Sequence, residues 1–215
     1  MLALLNNFVA PNNRIVLDCQ CKKSYLLIEK CGTQSLLDLT IRFPNQFRQL
    51  TLEEFLQTDI DTLTVFIREP IGRYISGIKT QINLYQIPEK VFKRLLNADD
   101  GGMFPMFDSH TMPQFWFLLR FGVDSTIKFK FVELSNIQQV HKDIKNLNVN
   151  SPRQFDFLND KSLTKIDYAM TEDIVLYTQF LGKTATVAEI LSQIAKEENF
   201  FSEAKQYKHL VPYIN

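Results

Sequence analysis

The sequence predicts an α/β fold, a central and mostly parallel sheet flanked by helices. Three observations carry that expectation. Short runs of strand length at 24–28, 63–67 and 127–132 are rich in apolar, aromatic and β-branched side chains. Segments with helical character separate them. The first two runs bracket a helix-containing stretch the size of a βαβ unit, and such units pair their strands in parallel through a right-handed crossover.

The elements follow in order. Ser24-Tyr25-Leu26-Leu27-Ile28 is the first strand, Lys30-Cys31-Gly32-Thr33-Gln34 a tight polar turn, and Ser35-Leu36-Leu37-Asp38-Leu39 a helix start. Thr51 followed by Glu54 is a capping-box pattern for a short helix through Gln57. Leu63-Thr64-Val65-Phe66-Ile67 is a second buried strand. After Pro70 a helix runs over 71–84, and a short turn or helix follows over 91–97. Residues 99–105 read as a loop, 114–121 as an apolar helix, and 127–132 as a third strand. Ser135 with Gln138 opens a capped helix to about Leu147. Helices at 171–181 and 186–198 come last, the second capped by Thr186 and Glu189. No repeat or low-complexity linker breaks the chain, so residues 1–215 read as one domain.

Composition excludes several classes. Of 215 residues, 45% are hydrophobic and 22% charged, which rules out a disordered tail, a collagen-like fibre and a disulfide-dense miniature. Lys+Arg and Asp+Glu both number 24, so there is no basic excess of the kind a dedicated nucleic-acid binder carries. The same balance disfavours a strongly polyanionic partner, though it leaves room for a local cationic pocket. Cys19, Cys21 and Cys31 are too few for a disulfide framework, and their spacing gives no metal site, so no metal is expected. Residues 1–10 are apolar but lack a basic leader, and no run approaches the ~18 apolar residues of a membrane span. The expectation is a reduced, cytoplasmic, soluble protein without a membrane span. Nothing in the sequence speaks to its oligomeric state.

Two segments carry chemistry. The turn at 30–35 joins a strand's C-terminal end to a helix N-terminus, where anionic ligands bind in open α/β sheets. Free backbone N–H groups and the helix dipole are positive there. Gly32 permits close backbone approach, Thr33 and Ser35 add hydroxyls, and Lys30 adds a mobile charge. This is not a Walker loop, whose lysine follows its second glycine. The plain alternative is a common Gly-Thr turn before a helix. Past the second strand stand Arg68-Glu69-Pro70, then Arg73 and Ser76 on the next helix. Proline suits a first helical turn, and Arg68 offers a planar fork of donors. The plain alternative is an Arg68–Glu69 or Arg73–Glu69 surface pair.

At these residues the chain resembles the sulfotransferases that use 3′-phosphoadenosine 5′-phosphosulfate (PAPS), in particular a carbohydrate sulfotransferase-like branch. Ile28-Glu29-Lys30-Cys31-Gly32-Thr33-Gln34-Ser35 looks like their first signature loop. Arg68-Glu69-Pro70-Ile71-Gly72-Arg73-Tyr74-Ile75-Ser76 matches Arg-Asp/Glu-Pro-x-x-Arg-x-x-Ser in each keyed position. Asp108-Ser109-His110-Thr111-Met112-Pro113-Gln114 resembles an Asp-x-His-x-x-Pro-Gln segment of one branch. The resemblance covers 24–180 with long gaps and implies a P-loop-like sulfotransferase fold. It also implies PAPS as co-substrate and a small-molecule or glycan hydroxyl as acceptor. Lys30, Cys31, Gly32, Thr33, Gln34 and Ser35 would cradle the 5′-phosphosulfate, Arg68 and Ser76 would take the 3′-phosphate, and a loop with Lys161 and Ser162 would close over the nucleotide. Glu29 and Gln34 depart from the family pattern, Glu29 by placing a negative charge beside a polyanion site. A degenerate relative that binds nucleotide or glycan without turnover is the alternative.

Sulfuryl transfer, like phosphoryl transfer, asks the protein mainly for positioning and preorganised charge. Lys30 would neutralise the oxygen that bridges to the leaving phosphate. Histidine suits the general base at neutral pH, and His110 alone lies in a motif, with His141 and His209 read as solvated. His110 could equally bond Asp108 or cap the helix after Pro113. Phe115-Trp116-Phe117 reads as core.

Overall fold

The computed structural model describes residues 14–97, 109–139, 144 and 160–203. Strands β1 (Ile15–Asp18) and β2 (Lys23–Leu26) form a hairpin in which Ile15 faces Leu26 and Asp18 faces Lys23. Strand β3 (Phe47–Leu50) pairs antiparallel with the other side of β1. Strand β4 (Thr62–Ile67) lies parallel to β2, with Leu26 opposite Val65. Strand β5 (Lys128–Glu133) lies parallel to β4, with Ile67 opposite Glu133, and β6 (Thr184–Ala185) pairs antiparallel with β5.

The result is a six-stranded open sheet in the order β3-β1-β2-β4-β5-β6, flanked by helices. The α/β class holds, but the sheet is mixed rather than mostly parallel. Among the described strands only the block β2-β4-β5 runs in parallel. A four-residue turn between β1 and β2 is too short for a crossover, so that pairing is antiparallel by necessity.

Alternation along β4 sets the core. Leu63, Val65 and Ile67 share one fully buried face, in register with the equally buried Phe129 and Phe131 on β5. Phe129 and Phe131 stack at 6.5 Å. Thr62 and Thr64 face the other way and are half-buried. Burying each such apolar side chain is worth about 1.5–3 kcal/mol. Phe115 and Phe117 join this core, with Trp116 packed partly buried against it, as the sequence suggested.

Helix α1 (Thr33–Arg42) buries Leu36 and Leu39, and α2 (Leu52–Leu56) opens on the expected Thr51–Glu54 capping box. Helix α3 (Pro70–Tyr85) begins at its proline, where a missing N–H is tolerated. With α4 (Glu89–Asn97) and α6 (Asp160–Ala169) it buries a second apolar cluster: Tyr74, Ile78, Phe92, Leu96, Ile166 and Met170. Helix α5 (Gln114–Leu119) stops short of Phe121. The Phe121 and Gly122 amides there bond three residues back, and Gly122 turns left-handed at φ 84°. Helices α7 (Thr171–Phe180) and α8 (Val187–Glu203) follow, the latter with reciprocal Thr186–Glu189 bonds.

After β5 the described start of the expected capped helix is a 3₁₀ segment, Leu134–Gln139. The Ser135 hydroxyl turns back to donate to Glu133 Oε2 at 2.9 Å and so caps nothing. The 99–105 loop, Asp108, His141, Leu147 and His209 lie outside the described residues.

Candidate functional site at the strand ends

Beyond β2 the chain runs through Leu27 and Ile28 into the turn that opens α1. The Ile28 carbonyl accepts from the Cys31 N–H at 3.0 Å and from Thr33 Oγ1 at 2.7 Å. Two left-handed residues shape the turn, Lys30 at φ 67° and Gly32 at φ 84°. Gly32 immediately precedes α1 and has no side chain to cap it, and the first helical turn carries no acid. That end of the helix is therefore electropositive. Gln34 is exposed, Lys30 half-buried, and Thr33 and Ser35 buried.

A second reason for glycine lies in the packing. A Cβ at Gly32 would stand 2.3 Å from Ile137 Cδ1 and 3.0 Å from Leu134 Cδ1. Side chains of the 3₁₀ segment fill the clearance the sequence suggested for a ligand. The Thr33 hydroxyl likewise spends its proton on Ile28.

Because β2 and β4 are parallel neighbours, Arg68 leaves the sheet at the same edge as this turn. Its backbone is clamped by one side chain: the Arg68 N–H donates to Gln114 Oε1 at 2.9 Å, and Gln114 Nε2 donates to the Arg68 carbonyl at 3.0 Å. Cys31 Sγ donates to the same Gln114 Oε1 at 3.0 Å. One amide thus ties the turn after β2 to the end of β4. Glu69 caps α3, accepting from the Ile71 and Gly72 amides at 2.9 and 2.6 Å. Among the described residues no ion pair joins Glu69 to Arg68 or Arg73.

Arg73 is fully buried, beside the Cys31 thiol, and three of its partners are backbone carbonyls. Its guanidinium donates to the carbonyls of Glu29 at 3.1 Å, Ser109 at 3.1 Å, and Met112. It binds the turn after β2 to the 109–112 segment. Ser76, 8% exposed, stands between Arg73 and Gly77, whose α-carbon packs against the His110 carbonyl. His110 is thereby placed at the same edge, its Nε2 4.0 Å from Glu29 Oε2. Arg14 Nη2 donates to Glu29 Oε1 at 2.7 Å, so the charge on Glu29 is matched.

Asp173, buried and at the start of α7, serves the helix that Pro113 cannot cap. Its carboxylate accepts from the Gln114 and Phe115 amides at 2.7 and 2.9 Å and from Gln114 Nε2 at 3.2 Å. Burial raises its pKa despite the nearby Arg73 and these donors. Burial also pushes the Cys31 thiol up to about 11, against the lowering charges of Arg73 and Arg68. At the end of β5, Glu133 accepts from Tyr177 Oη at 2.9 Å, and Tyr177 is raised by lost hydration first and by Glu133 next.

The structure therefore gathers Lys30, Cys31, Gly32, Thr33, Gln34, Ser35, Arg68, Ser76 and His110 around one end of the parallel block. Lys161 and Ser162 depart from expectation: they belong to helix α6, not a loop, and Ser162 is fully buried. An (i, i+4) row of Ser162, Ile166 and Met170 turned inward accounts for that burial. Arg14, Asp173 and the Tyr177–Glu133 contact entered no sequence reading of the site. Their roles come from partners 15 to 59 residues away, for which no local pattern exists.

Among the described residues, no group of three or more His, Cys, Asp or Glu could hold a metal, and no helix is long and apolar enough to cross a membrane. No protein-family model, curated protein or solved structure matches the chain.

Proposed function

We propose that this protein transfers a sulfuryl group from PAPS to a hydroxyl of a small-molecule or glycan acceptor. One observation carries the reading: β2 and β4 are adjacent and parallel, so the Lys30–Ser35 turn and Arg68 emerge side by side at their C-terminal ends. That edge is where open α/β sheets bind anionic ligands. The α1 amides and Lys30 face the 5′-phosphosulfate, and Arg68 with Ser76 takes the 3′-phosphate. Lys30 offsets the charge that gathers on the leaving phosphate oxygen. His110 takes the proton of the acceptor hydroxyl as the S–O bond to it forms.

The three carboxylates at this edge do not oppose a polyanion as bare charges. Glu29 is paired with Arg14, Glu69 with two helix amides, and Glu133 with two hydroxyls. A second reading, a nucleotide-binding relative without turnover, draws on the inward hydroxyl of Thr33 and the filled space at Gly32.

Adenosine 3′,5′-bisphosphate should raise the melting temperature of the protein, by about 2.7 kcal/mol of stabilisation at a hundredfold excess over Kd. No shift at millimolar ligand would overturn both readings. A shift without transfer of labelled sulfate from PAPS to a panel of glycans and small alcohols would select the second.

A further inference from the structure

The turn between β1 and β2 carries two cysteines that the site above does not use. Asp18 pairs with Lys23, so Cys19, Gln20, Cys21 and Lys22 form a four-residue loop. Its shape is held from several sides. Asp18 Oδ1 accepts from the Gln20 and Cys21 amides at 2.9 and 3.1 Å, and Asp18 Oδ2 accepts from Gln46 Nε2 at 3.3 Å. The Cys19 amide donates to the Gln46 carbonyl at 2.8 Å, and Lys22 closes the loop at φ 51°.

Cys19 and Cys21 are both free and exposed, whereas Cys31 is buried at the opposite end of β2 with its thiol bonded to Gln114. Two residues apart on a turning backbone, the Cα atoms of Cys19 and Cys21 stay within the ~4.4–6.8 Å that a disulfide spans. Each is therefore the other's nearest available thiol, and water reaches both.

We infer that Cys19 and Cys21 are a redox-active dithiol that closes to a disulfide within the loop under a hydroperoxide and reopens with glutathione. One thiolate attacks the terminal peroxide oxygen; the O–O bond breaks, giving a sulfenic acid and water, or the alcohol of an organic hydroperoxide. The second thiolate attacks the sulfenic sulfur; the S–S bond forms, the S–O bond breaks, and the oxygen leaves as water with the remaining proton. Two thiols are oxidised and one peroxide is reduced. A ring this small and this exposed belongs with the readily reduced disulfides, not with the structural ones.

The test is intact-mass and unreduced peptide mapping of the full-length protein after hydrogen peroxide in small excess. The expected result is loss of two hydrogens, located within the peptide that holds Cys19 and Cys21. Glutathione should reverse the loss, and Cys31→Ser should leave it intact. Cys19→Ser and Cys21→Ser should each abolish closure and leave a sulfenic acid that dimedone traps. Dimedone adducts on both thiols of the wild-type protein with no closure, a bridge to Cys31, or disulfide-linked dimers as the sole product would each overturn the inference.

Discussion

Gln114 completes the end of strand β4 as a neighbouring strand would, exchanging two hydrogen bonds with the backbone of Arg68 at 2.9 and 3.0 Å. The same side chain accepts from Cys31 and donates to Asp173, so four segments distant in sequence meet at one amide. An amide suits this position because it donates and accepts at once. A carboxylate there would face Asp173, and a hydrocarbon would leave a part-buried N–H and carbonyl and a buried carboxylate short of a partner.

Gln114→Ala should accordingly cost ~2–4 kcal/mol, since each buried polar group left unmade is expensive. Gln114→Glu should cost at least as much despite its near-identical shape. Urea unfolding of the two variants measures both.

Gly32→Ala faces two penalties, a left-handed φ of 84° and a Cβ 2.3 Å from Ile137 Cδ1. The backbone term alone is roughly 1–2 kcal/mol. In an Ile137→Ala background the closest clash disappears and only the 3.0 Å approach to Leu134 Cδ1 remains, so the double variant should be more stable than the sum of the single effects implies. Strict additivity in the double-mutant cycle would contradict the packing role of Gly32.

Arg68 and Arg73 should part company in mutagenesis. Arg73→Ala removes the partner of three carbonyls and leaves buried Asp173 without a nearby cation, at ~3–5 kcal/mol. Arg68→Ala should leave the melting temperature within a few degrees of wild type and abolish the shift produced by adenosine 3′,5′-bisphosphate. Melting curves with and without ligand separate the two. An Arg68→Ala protein that still responds fully would remove Arg68 from the proposed nucleotide site.

Cys31 predicts an alkaline pH dependence. Its thiol ionises near 9.0 when exposed and at about 11 in the fold. Between those values the unfolded chain has shed a proton that the folded chain still holds, so stability falls as pH rises. The contribution is fully present below pH 9, lost through pH 11, and amounts to about 2–3 kcal/mol. Cys31→Ser should flatten this part of the stability curve, measured by urea midpoints at successive pH values.

The parallel block was legible because β2 and β4 carry strand-length runs of apolar and β-branched residues and β5 alternates buried phenylalanines with exposed lysines, and helix starts were legible because caps are local chemistry. Thr51 with Glu54 and Thr186 with Glu189 stand at the positions their spacing announced. The antiparallel strands were not legible. β1 offers only Ile15, Val16 and Leu17 before Asp18, β3 reads apolar-polar-polar-apolar, and β6 pairs through two residues. Each is a strand because of its neighbour, not its own pattern. In the candidate site, the motifs pointed to the turn, Arg68 and His110, which the fold brings to one end of the parallel block. They could not tell that Arg73 spends its charge on carbonyls, or that Ser162 sits inside a helix.

The bond from Asp173 to Gln114 also sets an order of events during synthesis. A chain that ends before residue 173 carries both the Lys30–Ser35 turn and Arg68, yet nothing accepts from the first amides of α5. The amide clamp on Arg68 is then held at one end only. Contacts this far apart in sequence form late, after the cost of closing the intervening loop has been met. The turn and the arginine should reach their final geometry only when the C-terminal quarter has left the ribosome and docked, so nascent chains would gain ligand affinity abruptly at that length.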